Sequence, residues 1–457
     1  MENDLFLPRG FLHPPTGDDA DPPDASRPDW VLLDFRAYYA DRRNATTATC
    51  TIMGDKVIQV TFYPARPPRV SYFCFYCSGI PHSAFDEEPK IIATDANFVL
   101  LRISIAKRNA LICDGQHDYY IYQTDGASDG GPSLEPLPLP RPYFFYDEQV
   151  GLLSRGSSYA IVALRDDMSA FFLGSSGPGK FDVFLFHSEN RIWTTSAVAV
   201  PLEELMKGND EEGGFRHCTN KVITVGGKGG TMAFVDLQHG ILQYDVLTGD
   251  SLLRYIALPQ MNILHRGCDG NPMRYDVNPA TTRDIAVVNG CFKFVEVATM
   301  MKETSGHGIK YIADGWKVTT WSMNAISSQD ASWHPGHEVQ SACTTVDYNS
   351  LLSNQLPVDE GNPLGHLERL IIGLPVHSMN DDVVYVMAKV ERWHQEAWLI
   401  SVDMTCGQLK GITELGVERS LGFRLSYTAS RISQHLKISS GTPAADGGGA
   451  RCVVVDD

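Results

Sequence analysis

The chain is short of positive charge. Its 457 residues carry 38 Lys and Arg against 55 Asp and Glu, a formal net charge of −17. That balance repels phosphate backbones and anionic membrane surfaces, and no Lys/Arg-rich cluster overrides it locally. Neither nucleic acid nor membrane is expected as a partner. Long hydrophobic runs are missing as well. No stretch reaches the ~18 apolar residues needed to span a bilayer. The opening, Met1-Glu2-Asn3-Asp4-Leu5-Phe6-Leu7-Pro8, has neither the basic start nor the apolar core of a secretory signal. Cysteine is sparse, 10 in all, far from the density of a disulfide scaffold. Together these absences predict an intracellular protein, cytoplasmic or nuclear and not secreted, with reduced thiols.

Helical periodicity is also scarce. Pro201–Lys207 and Asp347–Leu356 offer a turn or two each. What fills the chain instead is a strand-and-turn grammar, with apolar runs of five to eight residues between Gly, Asp, Asn and Pro. Val57–Tyr63, Val70–Cys77, Phe98–Ile105, Tyr159–Leu164, Phe181–His187, Met232–Asp236, Arg283–Val288, Trp316–Met323, Val383–Val390 and Ala397–Val402 are among the predicted strands. One phrase recurs. Gly240-Ile241-Leu242-Gln243-Tyr244-Asp245 leads into a Thr248-Gly249 turn, and Trp398 to Gly407 repeats its Asp-to-Gly spacing. Strand ends closed by proline, at Pro140, Pro201 and Pro259, fall at intervals of about 60 residues, a repeat length that points to propellers, solenoids or arrays. A four-stranded unit of that length is one propeller blade with long loops, and radial closure removes exposed sheet edges.

The predicted fold class is therefore all-β and mostly antiparallel, a β-propeller-like repeat domain of about six four-stranded blades. Two packed β-sandwich-like domains are the alternative. Residues 1–29, rich in Pro and Asp, read as a disordered tail, 30–437 as the propeller-like domain, and 438–457 as a flexible C-terminal tail.

Trp30-Val31-Leu32-Leu33-Asp34, the stretch Ala40–Thr46, and Ala65-Arg66-Pro67-Pro68-Arg69-Val70-Ser71-Tyr72 resemble the opening of the plant domain-of-unknown-function family 1618, which is expanded in grasses. Asp236-Leu237-Gln238-His239-Gly240 through Leu247 resembles its central signature, and Gly315-Trp316-Lys317-Val318-Thr319-Thr320-Trp321 the segment that follows. The resemblance covers roughly residues 30–420. It implies a propeller-like interaction domain and supplies no catalytic residues. Some relatives carry an F-box ahead of a similar region, and the 29 residues before Trp30 are too short and too Pro-rich to form that helical module.

Candidate chemistry is thin. Gly174-Ser175-Ser176-Gly177-Pro178-Gly179-Lys180 has part of a phosphate-loop pattern, but Phe181 stands where a magnesium-holding Ser or Thr belongs, and a strand follows instead of a helix. Gly226–Thr231 reads as a tight hairpin between strands. Cys74-Phe75-Tyr76-Cys77 is half a zinc site with no second half, so two buried or half-buried thiols are expected. The carboxylate pairs Glu87-Glu88, Asp166-Asp167, Glu211-Glu212 and Asp381-Asp382 read as solvated loops, and no G-x-S-x-G nucleophile motif occurs.

Trp333-His334-Pro335-Gly336-His337-Glu338 is the most ligand-like cluster, with His377 and Asp381-Asp382 as conceivable partners. Pro-Gly between the histidines signals a turn, not the helical spacing of a metal pair. Trp333, His334 and His337 are therefore predicted as a partner-contact loop. Tyr72, Trp193, Trp316, Trp321, Trp393 and Trp398 are assigned to blade packing. The expectation is an uncharacterised intracellular module that binds protein non-catalytically, with no cofactor, no metal and no assigned catalytic residue. A propeller-type hydrolase, glycosidase-like, using funnel-facing carboxylates is the alternative. The sequence leaves the oligomeric state open.

Overall fold

The structure, a computed structural model, describes residues 9–15, 27–52, 55–82, 85, 87–104, 118–138, 140, 145–166, 179–205, 215–259, 278–304, 310–326, 332–346, 367–394, 396–415, 423 and 427–437. The first blade holds β1 (Val31–Asp34), β2 (Tyr38–Tyr39), β3 (Ala48–Thr51), β4 (Val57–Tyr63) and β5 (Val70–Cys77). The second holds β6 (Lys90–Asp95), β7 (Phe98–Ile103), β8 (Asp118–Gln123) and β9 (Ser133–Pro136). β10 (Val150–Arg155), β11 (Ser158–Asp166), β12 (Lys180–His187) and β13 (Ile192–Ala199) make the third. The fourth is β14 (Lys221–Gly226), β15 (Thr231–Asp236), β16 (Gly240–Asp245) and β17 (Arg254–Ala257). The fifth is β18 (Arg283–Val288), β19 (Cys291–Thr304), β20 (Lys310–Asn324) and β21 (His334–Gln340). The sixth is β22 (Thr345–Val346), β23 (Ile371–His377), β24 (Val383–Lys389), β25 (Ala397–Asp403) and β26 (Gln408–Leu415). The last strand, β27 (Tyr427–Ser430), returns to the first blade.

Blades two to five are simple antiparallel meanders, each opening on the strand nearest the axis and ending on the outermost one. The first blade has the order β27-β1-β5-β4-β3, with β1 antiparallel to β27 through Val31–Ser430, Leu32–Ala429, Leu33–Thr428 and Asp34–Tyr427. The two ends of the domain thus zip into one sheet and close a six-bladed β-propeller. The sandwich alternative does not hold.

The core explains why the middle strands read as unbroken apolar runs. Successive side chains of a strand point to opposite faces, and here each face meets a different neighbouring blade. On β11, Tyr159, Ile161 and Ala163 join the core shared with the second blade, while Ala160, Val162 and Leu164 join the core shared with the fourth. β24 does the same, sending Val384, Val386 and Ala388 to the fifth-blade side and Val383, Tyr385 and Met387 to the first-blade side. The last core packs Trp30, Leu32 and Tyr427 against Leu374, Val376 and Leu399, sealing the sixth blade to the first.

Ahead of Trp30, Arg9–Leu12 forms a 3-10 turn. Phe11 there is fully buried in the core between the first two blades, its ring 5.7 Å from that of Tyr39. The Pro/Asp-rich reading of that stretch did not contain this contact. The short helix, α1 (Leu202–Leu205), lies inside the predicted Pro201–Lys207. Asp347–Leu356, Gly174–Pro178, Asp167, Glu211 and Glu212 lie outside the described residues. Among the described residues no helix is long and apolar enough to cross a membrane.

Of the aromatics assigned to packing, Trp316, Trp321 and Trp398 are buried, and Tyr72 and Trp193 are half-buried. Trp393 is a correction: it is 69% exposed, in the turn between β24 and β25, with the Arg392 guanidinium 5.7 Å from its ring centroid. Glu87 and Glu88 also differ from the solvated reading. Glu87 pairs with Lys90 at 2.9 Å and Arg102 at 2.5 Å, and Glu88 is buried 3.7 Å from Arg36.

Candidate functional site

Among the described residues, polar side chains gather at two places suited to meeting another molecule. The first is the outer edge of the fifth blade. His334–Gln340 is a strand and not a loop, because Pro335 and Gly336 are accommodated in a bulge. His334 lies opposite Ser322, Pro335 opposite Trp321 and Glu338 opposite Thr319, so Gly336 and His337 share the single residue Thr320. The His337 N–H donates to the Thr320 hydroxyl oxygen at 3.0 Å, and that hydroxyl donates to the His337 carbonyl at 3.3 Å. Gly336 is required by close approach: a Cβ there would sit 2.6 Å from Thr320 Oγ1 and 3.0 Å from its carbonyl. Proline fits because the strand is an edge whose outward N–H groups need no partner.

His334 to Glu338 are all exposed. Trp333 is half-buried: its ring packs 6.0 Å from Phe294 and 6.5 Å from Phe292, and its indole N–H donates to the Ala257 carbonyl at 2.8 Å. Trp333 therefore pins the start of β21 to β17 of the fourth blade, while the two histidines project from a fixed strand.

The second place lies at the axis. Lys221 on β14 donates through Nζ to Asp284 Oδ1 on β18 at 2.7 Å and to the Ile285 carbonyl at 3.1 Å. The Asp284 side chain is only 10% exposed, and its Oδ2 has no hydrogen-bond partner among the described residues. On β23, His377 is 1% exposed and places Nδ1 2.7 Å from the Ser378 carbonyl. A carbonyl only accepts, so Nδ1 carries the proton and Nε2 is the acceptor nitrogen, 3.9 Å from Asp382 Oδ1. Burial holds this imidazole below its ordinary pKa. Lys293 Nζ donates to the same Asp382 oxygen at 3.0 Å. Tyr427, from the closing strand, donates its hydroxyl to the Leu374 carbonyl at 2.9 Å, and burial pushes its pKa up.

The fold thus brings Lys221, Asp284, Lys293, His377 and Asp382 together from three blades. It keeps His377 and Asp382 away from His334 and His337, which sit on the outermost strand. Among the described residues no group of three or more His, Cys, Asp or Glu is placed to hold a metal ion. Cys74 and Cys77 are both buried in β5. His377 and Asp381-Asp382 stand out in the sequence, though as partners of the distant His334 and His337, whereas Lys221, Asp284 and Lys293 do not, because each lies in or beside an apolar run. Of those three, Asp284 before Ile285-Ala286-Val287-Val288 was the one available signal.

The class these features define is a six-bladed β-propeller. Residues 234–385, from β15 into β24, match the family described as Protein of unknown function (DUF1618). That span holds Asp284, Lys293, His377, Asp382, Trp333, His334 and His337. No curated protein matches the chain. Among solved structures, apo AztD from Citrobacter koseri is similar at 11% identity and a TM-score of 0.33, over 87% of this chain and 89% of that one. The WD40 domain of SCAP from fission yeast is similar at 7% identity and 0.29, over 88% and 90%. A mutant Trypanosoma rangeli sialidase displaying trans-sialidase activity is similar at 9% and 0.28, over 78% and 55%.

Proposed function

We propose that the chain is a non-catalytic protein-recognition scaffold working inside the cell, with its contact surface on the outer edge of the fifth blade. The observation that carries this reading is the run of five exposed residues, His334 to Glu338, on a strand held rigid by the Trp333 and Thr320 contacts. A backbone fixed before binding loses little conformational entropy on association. Two imidazoles add a surface that both donates and accepts hydrogen bonds. The test is capture of a partner by tagged wild-type chain, followed by reconstitution from purified components. His334→Ala with His337→Ala should weaken binding at least tenfold without changing the melting temperature. Unchanged affinity removes the fifth-blade edge from the reading.

One observation favours a second reading, a hydrolase with funnel-facing carboxylates: the buried, half-satisfied Asp284 at the axis. A glycosidase substrate screen on wild type and Asp284→Asn decides it. Activity that vanishes in the variant establishes the enzyme.

A further inference from the structure

A propeller abolishes the free edges of a single sheet by closing into a ring, yet every blade still ends in an outermost strand. Exposed edges invite pairing with other chains, and proteins blunt them with short strands, charges, proline, bulges or cover. Five of the six blades here do so. β3, β9 and β17 are four residues long, β9 carrying Glu135 and Pro136 and β17 carrying Arg254. β21 has Pro335, Glu338 and its bulge. β26 carries Lys410 and Glu414, and β22 pairs along its start.

Among the described residues β13 has none of these devices. Ile192-Trp193-Thr194-Thr195-Ser196-Ala197-Val198-Ala199 is eight residues long, uncharged, free of proline, and in regular register with β12 from end to end. Thr194, Thr195, Ser196 and Ala197 are all exposed. Among the described residues only its last residue finds a second strand neighbour, Ala199 bridging to Leu252 through its N–H on the Ser251 carbonyl at 3.0 Å.

The strand also ends in apolar surface at both extremities. Ile192 is 56% exposed at its start, and Leu252 at 54% and Leu202 at 74% stand at its finish. An antiparallel pair of identical strands about a two-fold axis sets the start of each against the finish of the other. Ile192 of one copy then meets the Leu202 and Leu252 side of its partner, twice. No like charges face each other along the strand, which is what a self-paired edge needs.

We propose that β13 is the dimerisation edge of this protein, joining the third blades of two copies into one continuous eight-stranded antiparallel sheet. The occupant is a second copy because the edge from Ile192 to Val198 is complementary to itself, its apolar extremities meeting each other across the two-fold with no charge between them. The inference is independent of the partner surface on β21. At −17 per chain, long-range repulsion opposes association, so salt strengthens this dimer by screening it.

The experiment is sedimentation velocity on the full chain between 0.05 and 0.5 M salt, as rough bounds about the physiological Debye regime. The expected result is a species of twice the 50.5 kDa chain mass, whose share grows with salt. Thr195→Lys with Ala197→Lys places like charges across the two-fold and should give monomer. The same charge change on β21, His334→Lys with His337→Lys, should leave the dimer intact. Thr195→Cys, next to the two-fold, should cross-link into a covalent dimer under mild oxidant, within the Cα separation a disulfide spans. That variant keeps the test open if the lysine pair fails to fold. Monomer at every salt overturns the proposal. So does a dimer that survives the β13 lysines in a folded variant, or a Thr195→Cys chain that never cross-links.

Discussion

At the scale of the residue, the most consequential group for pH behaviour is Asp95, at the end of β6. It accepts the Ser154 N–H at 2.7 Å, tying the second blade to the third near the axis. Burial pushes its pKa from 3.8 up to about 6, although the backbone hydrogen bonds from Ser154 and Ala96 pull the other way. A carboxyl with a folded pKa above its unfolded one binds its proton more tightly when folded. Its contribution is complete below pH 3.8 and is lost as pH rises through about 6. A shift of about two units is worth up to about 3 kcal/mol. Asn keeps an acceptor for Ser154 and has no charge to bury. Asp95→Asn should therefore stabilise the protein at pH 7 by up to about 3 kcal/mol and leave it nearly unchanged at pH 4. Denaturant unfolding at both pH values checks this, and equal gains at both would contradict it. His217 has the opposite sign. Burial lowers its pKa from 6.5 to about 4, and its Nδ1 has no partner among the described residues. Its contribution is present above pH 6.5 and fades as pH falls through 4, so the two groups partly offset each other in the wild type.

At the scale of the element, blades are joined by more than apolar contact. Arg283 on β18 donates to Glu296 Oε1 on β19 through Nε at 3.0 Å and Nη2 at 2.7 Å, and through Nη1 to the Leu237 carbonyl of the fourth blade at 2.9 Å. The side chains are 2% and 1% exposed. Removing one partner takes the opposite charge from the other in the core, at a cost of about 3–5 kcal/mol, whereas replacing both by apolar groups is often neutral. Arg283→Met should destabilise by that amount, and Arg283→Met with Glu296→Leu should recover most of it. A double variant no better than the single would show that the Leu237 contact, and not the ion pair, is what matters. Which elements were legible in the sequence follows from the same geometry. Middle strands such as β11, β15 and β24 lie between two cores, so both faces are apolar and the run is visible. β21, exposed at nearly every position, and β13, exposed along most of its length, present no pattern, and the Pro-Gly of β21 mimics a turn. β23 went unseen because Gly373 and Pro375 interrupt it. The histidines were legible as a cluster, but the half-buried place of Trp333 depends on Ala257, which is 76 residues distant.

At the scale of the whole molecule, the spacing of the repeat was readable, while the closure was not. Nothing in Tyr427-Thr428-Ala429-Ser430 announces that it pairs with Val31–Asp34 nearly 400 residues earlier, since such pairing exists only once the ring is formed. Closure gives each blade two neighbours, so no terminal blade has an apolar face turned to water, as the end repeats of an open array would. β27 is what makes this true. It supplies the inner strand of the first blade, and its Tyr427 is buried in the core between the sixth blade and the first. A chain ended after Ser426 would leave β1 paired with β5 alone, its inner edge open, and would expose one side of that core. The wild type should therefore melt in one cooperative transition, and the shortened chain at lower temperature in a broader one, with the sixth blade opening first. Calorimetry reads the transition, and protease cutting within β23 to β26 before the other blades would locate the opening. An unchanged melting temperature would mean that the interfaces between blades, and not the zipped strands, hold the ring shut.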